Sequence, residues 1–257
     1  MTRSIGAAST NGEGLPLSNV VSSESGDNLA RCAKRTGANE IGAHEIGANV
    51  TGTGRRILLR PLIRTECLPA AELAARGMID DPILVRVFGP NPKKRQRRLT
   101  HYYAYGMRFI QLNGDLVGAF EREILIGVIG ATRPGFCQPR PLDALRIVPM
   151  MVRHNSPAIS LRLKRWVDGW GRHDPREDHW HIGLLAVEPH VQGFGVGTQL
   201  IVDHCARMDE ARTVSYLETD CAINVRFYEK FGYRIAGQAQ VLGGTSWFMK
   251  RLAGGEG

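Results

Sequence analysis

The sequence lacks long apolar runs and has few cysteines. No stretch is long and apolar enough to span a bilayer, and the first residues lack the apolar core of a signal peptide. The five cysteines are widely spaced and form no Cys-x-x-Cys pair, which argues against a disulfide framework or a zinc site. We therefore expect a protein of a reducing compartment, located in the cytoplasm, with no metal and no membrane partner.

Residues 1–54 also lack Phe, Tyr and Trp, and they are rich in Gly, Ala, Ser, Thr and Asn. Such a segment cannot bury enough apolar surface to offset the entropy of an ordered chain. We expect residues 1–54 to form a disordered low-complexity tail, followed by one folded domain over residues 55–254.

Basic residues are in excess, and the net charge is +8. This balance suits nucleic acid, anionic membranes or small molecules that carry phosphate, and it does not choose among them. The basic run at residues 92–98 is interpreted as a solvated loop or the start of a helix. A nucleic-acid patch is the alternative interpretation.

Hydrophobic periodicity predicts an α/β protein, because strands alternate with helices in the last third of the chain. Strands are predicted near residues 57–62, twice within 110–131, and at 180–187, 214–219, 234–241 and 247–251. Helices are predicted at residues 68–78, 142–170 with an interruption at 155–157, 195–211 and 222–231.

A glycine-rich turn follows the apolar strand at residues 180–187 and leads directly into a helix. Glycines allow the backbone to come close to a ligand, and the free N–H groups of the first helical turn attract anions. A Walker A loop is excluded because no Gly-Lys-Ser/Thr follows, and the glycine spacing fits a Rossmann fingerprint poorly. The residues of this predicted diphosphate site are Gln192, Gly193, Phe194, Gly195, Val196, Gly197 and Thr198.

This turn resembles the Gln/Arg-x-x-Gly-x-Gly/Ala signature of the GNAT acetyltransferase superfamily. A second block, residues 216–233, is similar to the later strand and helix of that family. Residues 178–251 are closest in pattern to the puromycin N-acetyltransferases, although Phe194 stands where Lys or Arg is common. The resemblance implies a GNAT fold with a mixed sheet of six or seven strands and acetyl-CoA as co-substrate.

The resemblance also implies roles for individual residues. Tyr228 would be the general acid for the CoA thiolate, and Asn224, four residues earlier on the same helix face, would contact the cofactor. Leu185 and Val187 would contact the pantetheine arm through main-chain atoms. Glu218 would be the base, because a carboxylate inside an apolar strand is costly unless it is paired or used.

Structural interpretations of the same residues stay open. Tyr228 could be a core aromatic, and Glu218 could form a structural hydrogen bond or ion pair. His179 and His181 could act as a base or water relay, or only occupy the sheet edge.

The sequence thus predicts an N-acetyltransferase that transfers acetyl directly from acetyl-CoA to a primary amine of a small molecule. The alternatives are a protein or peptide N-terminal acetyltransferase and a non-catalytic GNAT-like protein associated with nucleic acid. We expect no nucleic-acid partner, and we leave a homodimer open.

Overall fold

The computed structural model describes residues 56–137, 149 and 153–255. The predicted tail at residues 1–54 and the first part of the predicted helix at 142–170 lie outside the described residues. Among the described helices, none combines the length and the apolar character that crossing a membrane requires.

Seven strands form one mixed sheet in the order β1-β2-β3-β4-β5-β7-β6. Only β4 and β5 run parallel, and every other neighbouring pair is antiparallel. The strands are β1 Leu58–Pro61, β2 Gly114–Glu121, β3 Ile124–Thr132, β4 His179–Val187, β5 Val214–Thr219, β6 Arg234–Val241 and β7 Gly244–Arg251.

Helices cover both faces of this sheet. One apolar core packs against α1 to α4, and a second packs against α5 and α6. The α/β fold predicted from the alternation of strands and helices is therefore confirmed. The helices are α1 Cys67–Gly77, α2 Pro82–Phe88, α3 Pro92–Asn113, α4 Pro157–Gly171, α5 Val196–Glu210 and α6 Ala222–Glu229.

Helix α2 was not predicted, and α3 was predicted only as a helix start, one of two interpretations of the basic run. Asp81 caps α2 by accepting hydrogen bonds from the N–H groups of Ile83 and Leu84, and Asn91 caps α3 in the same way. Residues 110–113, which we predicted to begin a strand, form the last turn of α3. The apolar spacing there is that of a helix whose one face is buried.

The basic run lies on the first two turns of α3, so the predicted helix start is confirmed there. The basic run is not fully exposed to solvent. Arg95 is 3% exposed, and its guanidinium donates to the carbonyls of Ile79 and Gly89. Arg98 donates to the Phe88 carbonyl. Two cations of the run therefore stabilise the α2–α3 connection, which leaves a smaller basic surface for nucleic acid.

Candidate active site

A bulge in β4 creates the gap at which the site lies. Ala131 of β3 pairs with Ile182, whereas the preceding Gly130 pairs with Leu184, so Gly183 is an extra residue. Ile182 packs into the core beside α5, and Leu184 packs into the opposite core. A bulge bends its strand and increases the local twist, and here it turns β4 away from β5.

The pairing of β4 with β5 ends accordingly. The last paired residues are Ile182 and Leu217, although β4 continues to Val187 and β5 to Thr219. Beyond Ile182, the main-chain groups of β4 that face β5 have no ladder partner there. Main-chain donors and acceptors left open in this way can bind an extended ligand that carries amides.

A cavity of about 720 Å³ lies at this gap. Its walls come from β4, β5 and α6 on one side and from α3 and α4 on the other. Many of the α3 and α4 wall residues are aromatic: Tyr102, Tyr103, Tyr105, Phe109, Trp166 and Trp170. Such a wall favours an apolar or flat body over a highly polar one.

Four of the predicted site residues line this cavity together: Leu185, Glu218, Asn224 and Tyr228. The Glu218 side chain is 2% exposed, and Tyr228 is 7% exposed. Asn224 donates through Nδ2 to Thr219 Oγ1 at 3.2 Å. Among the described residues, no hydrogen-bond partner reaches Glu218 Oε1 or Asn224 Oδ1. Both acceptor oxygens are therefore left for a ligand.

The predicted diphosphate turn follows β4 in the chain, but its residues do not line the cavity. Gly193 and Gly195 have φ values of +90° and +84°, which only glycine adopts without strain. No atom lies within 4 Å of a Cβ built on Gly193. Helix α5 starts directly after Gly195, which as N-cap supplies no side-chain hydrogen bond. Within the described residues, no capping side chain therefore competes with a ligand for the N–H groups of the first turn.

Hydrogen bonds and an ion pair between the ends of α1 and β4 hold the glycine-rich turn in place. Gln192, predicted to contact the cofactor, donates through Nε2 to the Val187 carbonyl at 2.9 Å and to the Gly77 carbonyl at 3.3 Å. Arg76 and Glu188 form a two-bonded ion pair, with both N–O distances 2.9 Å. These contacts connect the end of α1 to the end of β4 and hold the turn in one orientation.

Sequence reasoning missed how the two histidines of β4 are used. His181 Nε2 lies 2.7 Å from Glu218 Oε2. Burial alone lowers the pKa of His181, but the charge of Glu218 and the hydrogen bonds to Cys137 and Glu218 outweigh it and raise the pKa well above the ordinary value. His-x-His on a strand places both rings on one face, which is the signal that could have shown them acting together.

His179 and Cys137 adjoin this pair. Burial alone lowers the pKa of His179, yet hydrogen bonds to Asp174, Cys137 and the Glu177 carbonyl raise it to about 10. Burial alone raises the pKa of the Cys137 thiol, but hydrogen bonds to His179 and His181 lower it to about 7. The cavity thus has a polar corner beside Glu218 that the sequence analysis, which predicted no metal ligands, did not anticipate.

Comparison with known proteins shows what the segment that carries this site is similar to. Residues 162–235 match the model of the acetyltransferase (GNAT) domain, a segment that contains the glycine turn, Glu218 and Tyr228. This segment, which is less than half of the chain, is similar to a GNAT acetyltransferase domain. GNAT acetyltransferases use acetyl-CoA, so the predicted co-substrate is confirmed at the level of the family.

Solved structures confirm the GNAT fold. The histone acetyltransferase HPA2 and related acetyltransferase from Corynebacterium glutamicum is 18% identical, with a TM-score of 0.58 over 76% of this chain and 94% of that one. Arylalkylamine N-acetyltransferase 2 from Aedes aegypti is 11% identical, with a TM-score of 0.50 over 77% and 99%. The mixed sheet of six or seven strands is confirmed. The likeness to puromycin N-acetyltransferases stays a prediction.

Proposed function

We propose that this GNAT domain transfers acetyl from acetyl-CoA directly to a primary amine of a small molecule, with Glu218 as base and Tyr228 as general acid. The observation that supports this most is that both side chains are buried and line one cavity at the gap between β4 and β5. A proton acceptor and a proton donor on one cavity meet two demands of aminolysis of a thioester.

The β4 main chain beyond Ile182 would hold the pantetheine arm, with Leu185 and Val187 as the contacting residues. The turn from Gln192 to Thr198 would hold the diphosphate at the N-terminus of α5. Asn224 Oδ1 faces no partner among the described residues and would accept a hydrogen bond from the arm. This placement directs the thioester toward Tyr228.

The chemistry then needs two proton transfers. Glu218 Oε1 accepts a proton from the amine, whose nitrogen attacks the thioester carbonyl to form the new C–N bond. N–H groups of the β4 main chain, that of Val187 among them, would stabilise the oxyanion. The C–S bond breaks, and the Tyr228 hydroxyl donates its proton to the departing CoA sulfur. The products are an acetamide and CoA.

A small acceptor is supported by the wall that α3 and α4 place over the cavity. Trp166 and Ser160 line it, and neither the indole N–H nor the Ser160 hydroxyl has a partner in the described part of the chain. These two groups would bind polar atoms of an acceptor with a flat, apolar body. A peptide acceptor would need an open groove at this position.

The test is a panel of amines with acetyl-CoA and a thiol reporter for released CoA. An aromatic or arylalkyl primary amine is expected to be acetylated. Tyr228→Phe should lower kcat by about 10²–10⁴-fold, the usual contribution of one general acid, and leave the affinity for CoA unchanged. Wild-type kcat in Tyr228→Phe would contradict the assigned role, and a panel in which only peptides react would contradict a small acceptor.

A further inference from the structure

Four potential metal ligands come together beside the cavity from separate parts of the chain. Cys137 follows β3, Asp174 follows α4, and His179 and His181 lie two residues apart on β4. One donor atom from each side chain lies within 4.8 Å of all the others. The side chains of Asp174, His179 and His181 are 13%, 5% and 12% exposed, so the cluster is shielded from solvent.

The spacing of the donor atoms fits a tetrahedral ion. Cys137 Sγ lies 3.3 Å from His179 Nε2, and Asp174 Oδ1 lies 3.7 Å from His179 Nε2 and 3.8 Å from His181 Nδ1. Around a tetrahedral zinc ion with ordinary Zn–N, Zn–O and Zn–S bonds, neighbouring ligand atoms are about 3.3–3.6 Å apart. All the donor pairs lie within 4.8 Å, so side-chain shifts of at most about 1 Å would bring every pair to these ligand distances.

The remaining ring nitrogens already have acceptors. His179 Nδ1 lies 2.8 Å from the Glu177 carbonyl, and His181 Nε2 lies 2.7 Å from Glu218 Oε2. A proton on each of these nitrogens leaves a lone pair on His179 Nε2 and on His181 Nδ1, the two atoms that face the cluster. Histidine ligands of metals usually donate their second N–H to a carbonyl or carboxylate in this way.

We propose that Cys137, Asp174, His179 and His181 bind one zinc ion. A donor set of two imidazoles, a thiolate and a carboxylate favours zinc over magnesium or calcium. Binding forms one Zn–S, one Zn–O and two Zn–N bonds, and it releases to solvent the thiol proton of Cys137 and the protons that His179 Nε2 and His181 Nδ1 carry in the metal-free protein. The thiolate and the carboxylate then neutralise the two charges of the ion, which suits a shielded site.

The zinc site is structural, because protein ligands fill all four positions. It connects the segment after β3 to the segment between α4 and β4. It also fixes the His181 ring so that Nε2–H points at Glu218, which makes His181 a positioning residue for the proposed base. Metal binding itself requires no acetyl transfer, so the two proposals can be tested separately.

Cobalt is the probe for the first test. The full chain, stripped with a chelator, is titrated with Co²⁺ and followed by absorption. Wild type should bind one cobalt per chain, with intense tetrahedral d–d bands and a thiolate-to-cobalt charge-transfer band, and zinc should displace it. Cys137→Ser should lose the charge-transfer band. The matched control Cys67→Ser, a buried free cysteine elsewhere, should keep it.

A second measurement needs no substitution. The zinc K-edge absorption spectrum of the loaded wild-type protein should show one sulfur and three nitrogen or oxygen ligands. No stoichiometric zinc, or a shell without sulfur, would overturn the proposal. A charge-transfer band that persists in Cys137→Ser would overturn it as well. His179→Gln should weaken zinc binding too, and unchanged binding there would remove His179 from the ligand set.

Discussion

At the scale of single residues, Glu218 is unusual because one carboxylate oxygen is paired and the other is not. Oε2 accepts from His181, whereas Oε1 has no partner in the described part of the chain. A buried carboxylate oxygen without a partner is costly, and such a cost is often retained at a catalytic position. The residue was predicted as a site residue from its place in an apolar strand, but its histidine partner was not.

Glu218→Gln tests the proposed base. Gln can still accept the hydrogen bond from His181, so the fold should be retained, but it cannot take the amine proton. We expect kcat to fall by about 10²–10⁴-fold, with unchanged CoA affinity by calorimetry. The control Glu229→Gln changes an exposed carboxylate on α6 and should behave as wild type. Turnover close to wild type in Glu218→Gln would exclude this carboxylate as the base.

Local sequence motifs identified site residues that lie close together in the chain. They missed site residues that only the fold brings together. Glu218, Asn224 and Tyr228 lie on consecutive elements, so a local motif identifies them. Cys137 and His181 meet only because β3 pairs with β4, and no spacing in the sequence shows this. The same holds for the aromatic wall from α3 and α4, which the sequence did not assign to the site.

At the scale of elements, the contact between the end of α1 and the end of β4 supports the diphosphate turn. A Cβ built on Gly77 would lie 2.6 Å from the Val187 carbonyl oxygen, which is a backbone atom and cannot rotate away as the end of a flexible side chain can. Any side chain at position 77 must therefore push α1 away from β4. That movement would also disturb the Gln192 hydrogen bonds.

Gly77→Ala is thus expected to lower the free energy of unfolding by about 1–3 kcal/mol, as overpacking usually does, and to weaken CoA binding. Urea unfolding and calorimetry measure the two effects. Gly106→Ala is the matched control, because position 106 lies inside α3 with no atom within 4 Å of the added Cβ. There the better helix propensity of Ala should stabilise by about 0.5–1 kcal/mol. Equal effects of the two substitutions would contradict the packing argument.

Strands and helices were predicted correctly where the hydrophobic periodicity was clear. They were missed where an N-capping residue is the main signal for the start of a helix. The bounds of β5 and β6 agree with the predicted residues 214–219 and 234–241. Helix α2 was missed, and α3 was only one of two interpretations of its basic run. A Pro at the first helical position, and in α3 the charged residues of the first turns, are also typical of loops. Asp81 and Asn91 as N-caps were the overlooked signals.

At the scale of the whole molecule, a buried histidine makes stability depend on pH. His204 of α5 is 1% exposed, and its Nε2 lies 2.9 Å from Ser215 Oγ, which in turn lies 2.7 Å from the Tyr233 hydroxyl. Burial, with smaller contributions from Arg207 and Arg251, lowers the pKa of His204 to about 3. The native state therefore binds fewer protons here than the unfolded chain between about pH 3 and the ordinary pKa of about 6.5.

The free energy of unfolding should accordingly fall as pH drops below about 6.5, by at most about 1.4 kcal/mol per pH unit from this one site. His204→Gln removes the titration while keeping an N–H for Ser215. The difference in stability between wild type and His204→Gln, measured by urea unfolding from pH 7 to pH 4, should shift in favour of the variant at acid pH. A difference that does not change with pH would contradict the assignment.

The claim on which the functional account depends is that acetyl-CoA lies in the gap between β4 and β5 with its sulfur at Tyr228. A crystal structure of the complex with CoA tests this most directly. We expect the diphosphate against the N–H groups of residues 193–198, and the sulfur within hydrogen-bond distance of the Tyr228 hydroxyl. CoA bound elsewhere on the protein, or its sulfur directed away from Tyr228 and Glu218, would contradict the account.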